Sequence, residues 1–201
     1  MNGVRAVGLA LRDMWEELGT IGLVSLVGGA LSLLVVPIPF VLAAHYGTAR
    51  RIAQGRVVGW REWVRLGRAH ARFFYTWGGL LAVTTAIAVL DLRFYIQQPS
   101  PILFMAAGLI FGALAVWLFV QPLVPALYLE QAEPAVRLAL RNAAALAAQD
   151  VLSVAVLWFV AGGLTALLAA LFAPLMVLVP MFTALVAVRL VRLHVAVEVE
   201  E

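Results

Sequence analysis

His45, Tyr46 and Gln121 are the polar side chains set deepest in uncharged sequence, and His45 lies five residues before the paired Arg50 and Arg51. An imidazole at membrane depth can relay protons or donate to a ligand. The plainer reading is a neutral ring bonded to a neighbouring helix, because the same apolar run carries no carboxylate to pair with it. Gln121 precedes Pro122, and Pro125 follows four residues later. Pro122 strips the helical hydrogen bond from the Leu118 carbonyl, and Pro125 strips it from Gln121. Such a break is either a polar site of the transporter kind or a kink patched by the Gln121 amide. Asp91 with Arg93, and Glu130 with Glu133, fall at the ends of apolar runs and read as solvated caps. The chain has no HExxH, P-loop or GxSxG motif, no clustered His/Asp/Glu set and no cysteine. No catalytic residue, cofactor site or metal site is therefore assigned, and the expectation is a protein that is not an enzyme. A lipid-modifying enzyme would have to draw on His45 and His70.

The elements that must position these residues are membrane helices. The chain is 64% hydrophobic with only 12% charged residues, and its mean hydropathy is +1.01. A soluble chain has about a quarter of its residues charged. The runs 18–49, 94–129 and 151–188 contain no formal charge at all, and a bilayer crossing needs about 20 apolar residues. All fourteen basic residues are arginine. In a membrane protein the net charge of +3 points to anionic headgroups of the cytoplasmic leaflet and not to nucleic acid.

Along the chain, residues 1–18 read as an amphipathic helix. Val4, Val7, Leu11, Met14, Trp15 and Leu18 form its apolar face, with Arg5, Arg12, Asp13 and Glu16 opposite. Residues 19–54 form an apolar segment interrupted by "PIP", and residues 55–72 a basic interfacial helix. In that helix Trp60, Trp63, Val64, Gly67 and Ala71 oppose Arg61, Arg65, Arg68 and Arg72. Two spans occupy residues 73–129, separated by "DLRFYIQQPSP" and kinked near Pro122. A cytoplasmic segment follows at 130–150, where Pro134 suits a helix start, then a helical hairpin at 151–192 and an acidic tail at 193–201. Gly108 with Gly112, and Gly162 with Ala166, have the spacing of close helix packing, expected inside one protomer.

The apolar run 18–49 has 32 residues, about 48 Å as one helix and short of the roughly 40 residues of two full spans. Arginine placement favours a turn. If the chain reverses at "PIP", thirteen of the fourteen arginines share the cytoplasmic side, and Arg93 alone lies opposite. An internal echo agrees: "LALRD" at 9–13 recurs as "LALRN" at 138–142, and "GGALSLL" as "GGLTALL". Each unit then runs through prolines to paired arginines. The expected fold is an all-α polytopic bundle of about six membrane helices, the first pair a short proline-turned hairpin, with amphipathic interfacial helices.

The order of features over the first 75 residues resembles the bacterial YesL-like membrane proteins. The resemblance is carried by Trp15, Pro37, Ala43, Ala44, Tyr46, Arg50, Arg51 and the "WREW" of Trp60, Arg61, Glu62 and Trp63. The break written "PIPF" departs from the family's proline-to-glycine turn, and His45 stands where an apolar or aromatic residue is common. That family has no established activity. Its genes often lie beside carbohydrate-uptake transporter genes, which implies a non-enzymatic accessory role in ABC-type sugar import. The resemblance also implies a bacterial cytoplasmic membrane. The partners expected are anionic lipid, transporter subunits and further copies of the chain, met through Arg50, Arg51, Trp60, Arg61, Trp63, Arg65, Arg68 and Arg72. The alternative is a small transporter or channel in its own right, built on the proline-broken helices.

Overall fold

The computed structural model describes residues 2–32, 34, 36–98, 100–131, 134–171 and 173–200. Met1, Glu133 and Glu201, named within segments above, lie outside them. The regular structure among the described residues is entirely helical: α1 (Asn2–Glu16), α2 (Leu18–Ser32), α3 (Ile38–Ala53), α4 (Trp60–Ile96), α5 (Pro101–Val120), α6 (Leu123–Glu130), α7 (Val136–Gln149), α8 (Val151–Leu171), a 3₁₀ segment (Ala173–Leu178) and α9 (Val179–Glu200).

The boundaries follow from local chemistry. Pro37 precedes α3, and Pro39 occupies its first turn, where a missing N–H costs nothing. At the other end Gly55 adopts φ +73°. The Gly55 N–H donates to the Ile52 carbonyl at 2.8 Å and the Arg56 N–H to the Arg51 carbonyl at 3.0 Å, a Schellman close. Pro101 opens α5. Asp150 caps α8, its Oδ1 accepting the Ser153 N–H at 3.1 Å. α7 begins at Val136, two residues after Pro134.

α2 and α3 fold back on each other antiparallel. The Val24 carbonyl meets His45, while Gly28 meets both Val41 and His45. α3 packs next on α4, where Gly67 admits the Phe40 ring; a Cβ there would lie 2.7 Å from Phe40 Cε2 and Cζ. α3 also packs on α9 and α6. Residues 43–49 of α3 are all buried, as are Met181, Phe182, Leu185, Val188 and Val191 of α9, so these two helices form the centre of the core. The large apolar side chains left exposed include Ile102, Met105 and Leu109 on α5 and Phe159 on α8, the last 82% exposed. Continuous exposed apolar surface on long helices is what hydrocarbon, not water, accommodates.

Of the expected six or so membrane helices, four are supported, and two other expectations are corrected. Among the described residues, four helical stretches are long and apolar enough to cross a bilayer: Trp60–Ile96, Pro101–Val120, Val151–Leu168 and Met176–Val195. The 15 residues of α2 and 16 of α3 reach only about 22–24 Å against a core of about 30 Å. The interfacial helix and the first long span are one element, because α4 runs unbroken for 37 residues. It continues through "DLRFYI", and the turn begins at Gln97 and Gln98. Gly108, Gly112 and Gly162 have open space where a Cβ would go, so these small-residue faces do not pack inside the protomer.

Candidate functional site

The basic end of the bundle is assembled from six helices. Arg189 of α9 donates from Nε and Nη2 to the two carboxylate oxygens of Asp13 in α1, at 2.7 and 2.6 Å. Arg192 donates to the Ala53 carbonyl at the end of α3, at 2.7 Å. Arg50 donates to Glu130 of α6 at 3.3 Å. The Gly3 N–H donates to Ser153 Oγ of α8 at 2.8 Å. α4 starts at the same end, where Glu62 pairs with Arg51 at 3.8 Å and Arg65 at 3.0 Å. Arg93 lies about 46 Å further along that helix. Apart from Arg93, the arginines gather at one end.

The expected contact face divides in two. Arg61, Arg65, Arg68 and Arg72 recur at helical spacing and are exposed. Trp60 is 44% exposed. Arg50 and Arg51 are half-buried and occupied by Glu130 and Glu62. Trp63 leaves the face altogether, which corrects its placement there. It is fully buried, edge-on to Phe40 at 5.9 Å, tilted to His45 at 6.1 Å and stacked on Trp60 at 5.2 Å. The apolar stripe of this helix is covered by α3, so it is a packing face and not a membrane-lying one.

The break after α5 holds Tyr46 and Gln121 together. The Gln121 N–H reaches back only to Leu118, at 3.2 Å, and the Val124 N–H to Gln121, also at 3.2 Å. Both carbonyls stripped by the prolines are thereby satisfied in tighter turns. The Gln121 amide donates to the Trp117 carbonyl at 3.0 Å and accepts the Trp77 indole N–H at 2.9 Å. The Tyr46 hydroxyl donates to the Pro122 carbonyl at 3.0 Å. The kink is patched as one of the two sequence readings expected, and the patch also joins α3, α4 and α5.

His45, next to Tyr46 in α3, is fully buried but faces α2 instead. Its Nε2 lies 3.5 Å from the Val24 carbonyl. Among the described residues His45 Nδ1 has no partner, nor do the buried Ser25 Oγ, Thr48 Oγ1 and Trp63 Nε1. Ser25 and Thr48 were invisible as candidates because isolated hydroxyls in apolar helices usually bond their own backbone, as Ser32 does to Gly28 at 2.8 Å. Among the described residues no group of three or more His, Cys, Asp or Glu could hold a metal.

No family model, curated protein or solved structure matches the chain. The YesL-like reading rests on the residues quoted for it.

Proposed function

We propose that the chain is a multi-pass protein of a bacterial cytoplasmic membrane, with its basic end and both termini cytoplasmic. It acts without catalysis, as an accessory that docks carbohydrate-uptake transporter subunits. The observation that carries the reading is the exposed row of Arg61, Arg65, Arg68 and Arg72 on a helix that continues directly into an apolar span. A rigid helix that carries four cations out of the membrane is a fixed docking element for an acidic surface. Clustering of arginine at one end suits a cytoplasmic placement, and the YesL-like pattern around "WREW" supplies the transporter connection. The hydrogen-bonded closure of the Gln121 break supports a fixed scaffold over a gated pathway. The test is co-purification of transporter subunits with the tagged protein from its native membrane. Replacing Arg61, Arg65, Arg68 and Arg72 together by Gln abolishes recovery if this row is the dock. Undiminished recovery from the variant, or recovery of anionic lipid alone from the parent, rejects the reading.

A further inference from the structure

A cavity of about 360 Å³ lies between the α2–α3 hairpin and the start of α9. Its walls include Gly28 and Ser32 of α2, Val41 and His45 of α3, and Met176 and Pro180 beyond α8. Gly28 lets α3 pack closely on the α2 side, since a Cβ there would lie 2.9 Å from Val41 Cγ1 and 3.0 Å from His45 Nε2. The other boundary is held by close contact of Gly29 with the Val177 side chain. Cavities that stay empty are apolar. This one is lined by an imidazole that is 1% exposed, with one ring nitrogen unpartnered and the other no nearer than 3.5 Å to its acceptor. Burying such a group without a partner leaves its desolvation uncompensated.

We propose that this cavity binds a small uncharged amphiphile, with the His45 imidazole as the hydrogen-bonding anchor. The volume falls in the range of ligand pockets, roughly 300–1,000 Å³, whose pattern is an apolar wall with one or two placed polar groups. Among the described residues no arginine or carboxylate lines the space, so a charged ligand would be buried unpaired and is disfavoured. The class that fits carries one hydroxyl or amide on an aliphatic body, as a medium-chain alcohol does. Neutral imidazole can donate from one nitrogen and accept at the other, so it can meet both the proton and the lone pair of a hydroxyl. Met176, 37% exposed, and the exposed Pro180 are the walls that reach the surface. This site is independent of the arginine row and of the docking reading.

The chain has three histidines, so imidazole NMR of the ¹³C,¹⁵N-histidine-labelled full chain in phosphatidylcholine nanodiscs resolves each. Titration with 1-octanol is expected to give a saturable shift of the His45 signals, with His70 and His194 unmoved. n-Octane should give no such shift. Met176→Trp, which fills the cavity, removes the saturable shift, and the smaller filler Met176→Phe weakens it; unchanged His70 and His194 signals show that either variant is folded. His45 signals unmoved by octanol, moved alike by octane, or still saturable in both filled variants overturn the proposal.

Discussion

Arg189 grips both oxygens of Asp13, at 2.6 and 2.7 Å, and thereby fixes the amphipathic first helix to the last helix of the bundle. Both partners are shielded, with side-chain exposures of 4% for Asp13 and 16% for Arg189. Removing one partner of a buried pair costs about 3–5 kcal/mol because the other charge is left stranded, whereas removing both is far cheaper. Asp13→Ala is expected to lower the thermal midpoint in detergent sharply, and Asp13→Ala with Arg189→Leu to recover much of the loss. Additive losses would show that the two residues do not act as a pair.

This pair also marks where the sequence stops being legible. Helical spacing placed Asp13 on the polar face of α1, opposite the large apolar residues, without saying which face the bundle would cover. The structure covers the face of small residues: Gly3, Ala6, Ala10 and Asp13 are buried, while Trp15 is 80% and Val4 63% exposed. The apolar-inward rule assumes water outside. Where the outside is hydrocarbon or headgroup, large apolar residues turn outward and small ones let backbones approach. Trp63 is misplaced for a different reason: its helix phase was readable, but its covering partner, α3, was not. The charge-free runs, the proline break at Gln121 and the one-ended arginines were readable because they depend on residue type alone, not on which neighbour covers a face.

Gly3 and Gly8 share α1 but meet different surroundings. A Cβ at residue 3 would lie 2.7 Å from the Ser153 Cα, a backbone atom that cannot swing aside, whereas residue 8 has nothing within 4 Å. Gly8→Ala should stabilise by up to about 1 kcal/mol through helix propensity. Gly3→Ala should destabilise despite the same propensity gain. Opposite shifts of the unfolding midpoint are the expected result, and two shifts of like sign would contradict the packing described.

Gln121 serves two partners, so its loss strands two groups. Gln121→Ala leaves the buried Trp77 indole N–H without an acceptor and is expected to cost about 1–3 kcal/mol. Tyr46→Phe removes a single hydrogen bond to the Pro122 carbonyl, worth about 0.6 kcal/mol at the membrane-protein average. Equilibrium unfolding in mixed micelles should rank the variants in that order. A Tyr46→Phe loss exceeding that of Gln121→Ala would mean that the kink is held from α3 and not from its own amide.

Asp150 gives the basic end a dependence on acid. Partial desolvation pushes its carboxyl up, but hydrogen bonds from the Ser153 side chain and N–H and the nearby His194 charge outweigh that, and the net direction is down. A carboxylate with a lowered folded pKa contributes stability that is present above the ordinary value near 3.9 and is lost as pH falls through the folded value. Because the group is only half-buried at the edge of the bundle, the contribution is small. Thermal midpoints of the parent should therefore fall below about pH 4, and those of Asp150→Asn should fall less steeply over the same window. Parallel curves would remove Asp150 as a source of the dependence.

The orientation of the whole chain can be read with single cysteines, because the natural sequence has none. Asn2 opens α1, whose Gly3 binds Ser153 at the basic end, and Gln97 closes α4 at the end where Arg93 lies. If the basic end is cytoplasmic, Gln97→Cys reacts with a membrane-impermeant maleimide in intact cells, while Asn2→Cys reacts only after permeabilisation. Gly59→Cys, beside the start of the arginine row, should behave as Asn2→Cys does. Gly59 and Gln97 are separated by the length of α4 and not by local exposure alone, since they flank its two ends. Labelling of Gly59→Cys from outside would turn the arginine row away from the cytoplasm, and the docking surface with it.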